Sequence, residues 1–267
     1  MKTILFPTDF SENADNALNF AVEIARYLKM KLHIFNAYEA PYSTHTMSTT
    51  LLTIMKQESE KHIKLCAEKL KKRAPDLEVE TSVRHGNTIR LIVEKADHIN
   101  AELILMGTKG ASGFKEVFFG SNTASVVQHS SCPVLVIPNH ATFTPFHKIV
   151  FASDLKMENY EASVNYLKVF ADVFYAQVLA LHVLNEEEND SRDELKLKGL
   201  KNSYHTIKNN NLEEGINTFV EKNKADLLVI IARKHNILDL LFHPARLSKR
   251  LVNHIHIPLL VLPNEKN

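Results

Sequence analysis

The stretch KTILFPTDFSENADNALNFAVEIARYLKMKLHIFNAY, Lys2 to Tyr38, decides how the rest of the chain is read. It opens on a run of apolar and β-branched residues at about 2–7 and closes on another at about 31–37. Uninterrupted runs of this kind mark strands buried on both faces, as in parallel sheets. Between them Ala17, Phe20, Ala21, Ile24 and Leu28 recur at helical spacing and form one apolar face. Further strand runs follow at about 78–84, 102–106 and 133–137, and Ile89, Ile92, Val93 and Ala96 give a second helical face. Strand and helix therefore alternate along the first half. That alternation predicts an open parallel α/β sheet with right-handed crossovers. In such sheets a ligand lies beyond the carboxyl ends of the strands, where the strand order reverses.

The pattern then repeats. KTILFPTDFS from Lys2 is echoed by HKIVFASDLK from His147, and KLHIFNAY from Lys31 by QVLALHVL from Gln177. ELILMGTKG from Glu102 is echoed by LLVIIARKH from Leu227, and HSSCPVLVIP from His129 by HIHIPLLVLP from His254. Four echoes in the same order make the two halves copies of one unit. PNHATFTPFH, Pro138 to His147, has a proline near each end and no periodicity, and reads as a linker. The expected domains are residues 1–140 and 146–267.

Composition narrows the functional classes. Of 267 residues, 45% are hydrophobic, enough for a sizeable core, and 32 basic residues face 31 acidic ones, for a net charge of +1. Such a balance argues against nucleic acid or an anionic membrane as partner. Cys66 and Cys132 have no spacing that suggests a disulfide framework or a zinc site. The N-terminus lacks the apolar core of a signal peptide, and no run approaches the ~20 apolar residues of a membrane span. A soluble, cytoplasmic protein is expected.

Only seven glycines occur in the chain, and four of them lie in GTKGASGFKEVFFGS, Gly107 to Ser121. Gly107 follows Met106, the last residue of the fourth strand run, and Ser121 opens the helical run SNTASVVQH. Glycine lets backbone N–H groups approach an anion, and a helix N-terminus adds free N–H groups and a positive dipole end. The chemistry suggested is a phosphate cradle made mostly of main chain, with Ser121 as cap or hydroxyl ligand. A tight strand-to-helix turn explains the same glycines without a ligand. Neither G-x-G-x-x-G after the first strand nor G-x-x-x-x-G-K-[ST] occurs.

The arrangement Gly107-x2-Gly110-x9-Gly120-Ser121 resembles the ATP-binding motif of the universal stress protein family. ILFPTDFS resembles that family's first strand, SSCPVLVIP its last, and RHGNTIRLIVEKA its Gly-Asp-Pro turn and following helix, with Asn87 and Thr88 in place of Asp and Pro. The resemblance spans both halves. It implies two tandem Rossmann-like repeats, each an open five-stranded parallel sheet of order 3-2-1-4-5 flanked by helices. It also implies ATP, with or without Mg²⁺, as ligand, a role in stress response or signalling, and protein partners that the sequence does not name. Carried over residue by residue, the site holds Pro7, Thr8 and Asp9 beside the nucleoside and Ala37 against adenine through its backbone. Met106 packs on the base, and Gly107, Gly110, Gly120, Ser121 and Asn122 wrap ribose and phosphates. Two of these residues have a second reading. Asp9 with Glu12 three residues on is also a capping-box pattern, and Met106 is also a core residue. Family members of one domain dimerise through the last strand, so the two halves are expected to pair within the chain as a pseudo-dimer, with a further homodimer as an additional possibility.

The second half departs from the motif. By the echo above, Ala232, His235, Ala245 and Arg246 stand where Gly107, Gly110, Gly120 and Ser121 stand in the first half, and Pro244 removes another N–H donor. Asp154 survives opposite Asp9. The second half is therefore expected not to hold ATP. Its histidines, including His205, His235, His243, His254 and His256, do not form a metal-ligand pattern, and Arg246, Lys249 and Arg250 read as a solvated helix face. APYSTHTMSTT from Ala40 reads either as a cover for the nucleotide or as an uninvolved loop. No G-x-S-x-G elbow or pair of carboxylates at telling spacing suggests catalytic residues, and slow or absent hydrolysis is the expectation for bound ATP.

Overall fold

The chain is described by a computed structural model that covers residues 2–39, 48–108, 120–139, 141–153, 161–185, 202–232 and 256–263. Contacts divide it into two compact units, the first mainly residues 1–134 and the second mainly residues 135–267.

The first repeat runs β1 (Thr3–Pro7), α1 (Glu12–Leu28), β2 (Lys31–Tyr38), α2 (Ser48–Arg73), β3 (Val79–His85), α3 (Thr88–His98), β4 (Leu103–Gly107), α4 (Ser121–His129) and β5 (Val134–Ile137). Its strands lie in the expected order, β3-β2-β1-β4-β5. β1 is central and all five of its residues are buried, which is why that segment carries no polar alternation. α1 buries Ala17, Phe20, Ala21 and Ile24 as its periodicity predicts. It ends at Lys29, whose left-handed backbone (φ 53°) turns the chain into β2. Gly86, at φ +136°, makes the turn from β3 into α3, and the Asn87 side chain caps that helix by accepting from Arg90 N–H at 3.1 Å.

One polar cluster lies within β2 and β3. His33 is buried, with Nδ1 3.1 Å from Glu80 and Nε2 2.8 Å from Ser82 Oγ. Burial holds its imidazole below the ordinary pKa despite the carboxylate, and Glu80 is itself held low, first by Lys31 at 2.7 Å. Cys132 is buried with its thiol donating to the Ala101 carbonyl at 3.0 Å, and burial pushes both free cysteines to higher pKa, as expected of inert thiols.

The second repeat runs β6 (Lys148–Ala152), α5 (Glu161–Phe174), β7 (Gln177–Leu184), β8 (Asn202–Lys208), α6 (Leu212–Asn223), β9 (Leu227–Ile231) and β10 (Leu259–Leu262), in the order β8-β7-β6-β9-β10. The segment read as a linker is partly core. Phe146 is buried, its ring 4.9 Å from that of Phe174 and 6.0 Å from that of Phe170, and Phe143 stacks edge-on behind it.

The ladders correct the alignment of the repeats by one residue. Ile4 pairs with Leu103 in the first and Ile149 with Leu227 in the second. Leu227 is thus the counterpart of Leu103, and Ile231, not Ala232, is the counterpart of Gly107. The same offset matches the helix caps Asn87 and Asn211 and the left-handed residues Asn100 and Lys224. Among the described residues, no helix is long and apolar enough to cross a membrane.

Candidate functional site

Pro7 ends β1. With no amide hydrogen it cannot donate to β4, and the β1–β4 register contains only Ile4↔Leu103 and Leu5↔Ile104. β1 and β4 are the strands between which the order reverses, and their ladder stops short of their carboxyl ends, the place where α/β sheets bind ligands.

A tight turn follows. Thr8 Oγ1 accepts Phe10 N–H at 3.0 Å, and Phe10 sits at φ 61°, a left-handed conformation uncommon for a bulky residue. Strain of this kind collects at functional turns. Asp9 Oδ1 takes both the N–H and the hydroxyl of Ser11, at 3.1 and 2.6 Å. Ser11 in turn is the N-cap of α1, accepting Ala14 N–H at 3.3 Å. The capping box read from Asp9 and Glu12 is therefore not formed. The left-handed turn at Phe10 delays the helix by two residues, and Asp9 steadies the cap instead of being it.

β2 supplies backbone. Lys31 N–H donates to the Lys2 carbonyl and Thr8 N–H to the Phe35 carbonyl, so odd-numbered residues of β2 turn their backbone groups toward β1. Leu32 N–H donates to Glu78 and Gly86 N–H to the Tyr38 carbonyl, so even-numbered ones face β3. The β1–β2 register ends at Pro7↔Phe35, and Ala37 lies past its last rung. Its N–H and C=O, turned the same way as those of Phe35, project beyond the end of β1. Between them lies Asn36, absent from the sequence reading. It is 5% exposed, its Nδ2 donates to the Thr8 carbonyl at 2.8 Å, and its Oδ1 is buried with no hydrogen-bond partner. The only signal in the sequence was a polar residue set between Phe35 and Ala37.

β4 and α4 close the other side. Met106 is buried at 7% exposure, as a core residue would be. A Cβ on Gly107 would lie 3.2 Å from the Asn13 carbonyl oxygen and 3.6 Å from Ala17 Cβ, so this glycine admits the first turn of α1. The Gly107 carbonyl accepts the Thr123 hydroxyl at 2.9 Å, and the Thr108 carbonyl accepts Gly120 N–H. Both bonds draw the start of α4 onto the end of β4. The N-cap is Gly120, not Ser121, and among the described residues no side chain caps the helix. The first intrahelical bond of α4 is Ala124 N–H to the Gly120 carbonyl, so the Ser121, Asn122 and Thr123 amides stand at an uncapped N-terminus. Ser121 and Asn122 are exposed there.

These elements bring Pro7, Thr8, Asp9, Ala37, Gly107, Gly120, Ser121 and Asn122 to the carboxyl edge of one sheet. Gly110, Asp154, His235, Ala245, Arg246 and most of the segment from Ala40 lie outside the described residues. In the second unit the counterpart of Gly107 is Ile231, buried at 7% exposure.

Comparison with known proteins agrees with this fold. The model of the Universal stress protein family matches residues 1–138 and 152–263. A universal stress protein of Staphylococcus aureus strain USA300 is 30% identical over 162 residues, covering 60% of this chain and 97% of that protein. A crystal structure of a universal stress protein from Archaeoglobus fulgidus matches 99% of this chain and 97% of its own with a TM-score of 0.78 at 18% identity. One from Pseudomonas aeruginosa matches 99% of this chain and 94% of its own with a TM-score of 0.61 at 14% identity. These two share the fold.

Proposed function

The chain belongs to the universal stress protein family, and on that premise we propose that its first unit binds an adenine nucleotide, ATP above all, as a stress-response protein of the cytoplasm. The observation that carries this reading is the pairing of two unused sets of backbone groups at one sheet edge. Ala37 offers a donor and an acceptor past the end of β1, suited to the edge of a base. The uncapped start of α4 offers amides and a positive dipole end, suited to phosphate. Pro7, Thr8 and Asp9 line the gap between them, where a ribose fits. Mg²⁺, if it accompanies the nucleotide, has the Asp9 carboxylate nearby. Binding, not turnover, is the proposed activity, with the nucleotide acting as a ligand that sets the protein's state for its partners.

Gly107 supports a second reading for itself alone. The contact with Asn13 accounts for this glycine through packing, with or without a ligand. Mass spectrometry of nucleotide released from the purified chain tests the proposal. Adenine nucleotide near equimolar amounts, or taken up on incubation with ATP, is expected. A chain that neither carries nor takes up one is a scaffold.

A further inference from the structure

A parallel ladder alternates its bonds regularly, so after Thr8 N–H has bonded the Phe35 carbonyl, the next bond should run from Ala37 N–H to the Thr8 carbonyl. In this protein the Thr8 carbonyl is taken at 2.8 Å by Asn36 Nδ2. The assignment of the amide is set by its partner, since a carbonyl accepts only from the nitrogen end. Asn36 is buried at 5% exposure between Phe35 and Ala37, and its Oδ1 has no partner. A buried polar side chain that satisfies only half of its own groups needs a reason.

We propose that Asn36 is a positioning residue for the base: by occupying the Thr8 carbonyl it withholds Ala37 N–H from the β1–β2 ladder and keeps it available to a ring-nitrogen acceptor. This rests on the nucleotide reading above. The Ala37 N–H and C=O then form an adjacent donor and acceptor. Adenine presents the matching pair, a ring nitrogen that accepts beside an exocyclic amine that donates. Hypoxanthine presents the reverse, a ring N–H beside a carbonyl. Asn36 thus acts on purine selection without touching the base through the amide that it spends on Thr8. The second repeat has His182 at the equivalent place in β7, after the same rung from Ser153 N–H to the Leu181 carbonyl at 3.0 Å. A side chain with a ring N–H is therefore compatible with this position in the fold.

The test has one arm without ligand and one with it. By amide hydrogen exchange on the full chain, Ala37 N–H should exchange readily in the wild type. In Asn36→Leu it should drop onto the Thr8 carbonyl and become protected by about tenfold or more. In binding assays Asn36→Leu should lose about ten- to a hundredfold in ATP affinity, and the preference for ATP over ITP should fall toward unity. Asn36→His, which restores a donor, should recover both. A protected Ala37 amide in the wild type overturns the proposal without any variant. So does an Asn36→Leu chain that binds ATP as tightly and as selectively as the wild type, which leaves the nucleotide reading intact. A wild type that binds no adenine nucleotide overturns both.

Discussion

Glu213 offers a prediction in which the structure supplies the magnitude. It lies in the first turn of α6 at 6% exposure, and burial alone pushes its carboxyl from the ordinary 4.5 up to about 7. With the caps Asn87 and Asn211 matched, Glu213 and Asn217 stand where α3 has Ile89 and Val93. Asn217 is buried as well, with no partner for its Nδ2. The second repeat has thus placed polar groups on a helix face that the first keeps apolar. An acid whose folded pKa exceeds its unfolded value binds more protons folded than unfolded between the two. Stability must then fall as pH rises through that window, from about 4.5 to about 7, and level off above it. A change of that size corresponds to about 3 kcal/mol at most. Glu213→Gln removes the titration and keeps the shape. Urea unfolding followed by circular dichroism, at several pH values from 4.5 to 8.5, should show the variant close to wild type at the acid end and more stable by about 1–3 kcal/mol at the alkaline end. Hydrogen exchange in α6 should locate the gain. Glu213→Ile, the residue of the first repeat, should follow the same trend. Equal stability of wild type and Glu213→Gln across the pH range, or a loss at high pH, would refute the reasoning.

Two glycines give opposite expectations. Gly107→Ala sets a Cβ 3.2 Å from the Asn13 carbonyl, so it should cost about 1–2 kcal/mol without any nucleotide, read as a lower thermal midpoint; an unchanged midpoint contradicts the packing assigned to Gly107. Gly120 has φ −59° and ψ 146°, which aspartate adopts freely, at a helix start with no side-chain cap. Gly120→Asp should therefore raise stability by up to about 1 kcal/mol while lowering ATP affinity about a hundredfold through charge repulsion; unchanged affinity in a folded variant removes α4 from the phosphate site.

Much of the fold was legible because buried parallel strands are written as continuous apolar runs, and β1, β2 and β4 appear in the structure within a residue or so of their predicted bounds. The same property caused the one-residue error between repeats. LILM and LLVI are apolar throughout, and the pairing of Ile149 with Leu227, with the matched caps and left-handed residues, separates them. Features that depend on backbone conformation were hidden. Nothing in TDFSE marks Phe10 as left-handed, so a capping box stood as the second reading of Asp9 when Ser11 fills the cap. The packing role of Gly107 was hidden because the Asn13 carbonyl that it accommodates comes from an element distant in sequence. Asn36 was missed because its meaning lies in the rung that it replaces, which no pattern of side chains displays.

The central claim is that one of two copies of the same fold kept a nucleotide site. Titration calorimetry of the intact chain with ATP tests it most directly. The expected result is one site per chain, abolished or strongly weakened in Gly120→Asp. No detectable binding, or two equivalent sites per chain, would contradict it.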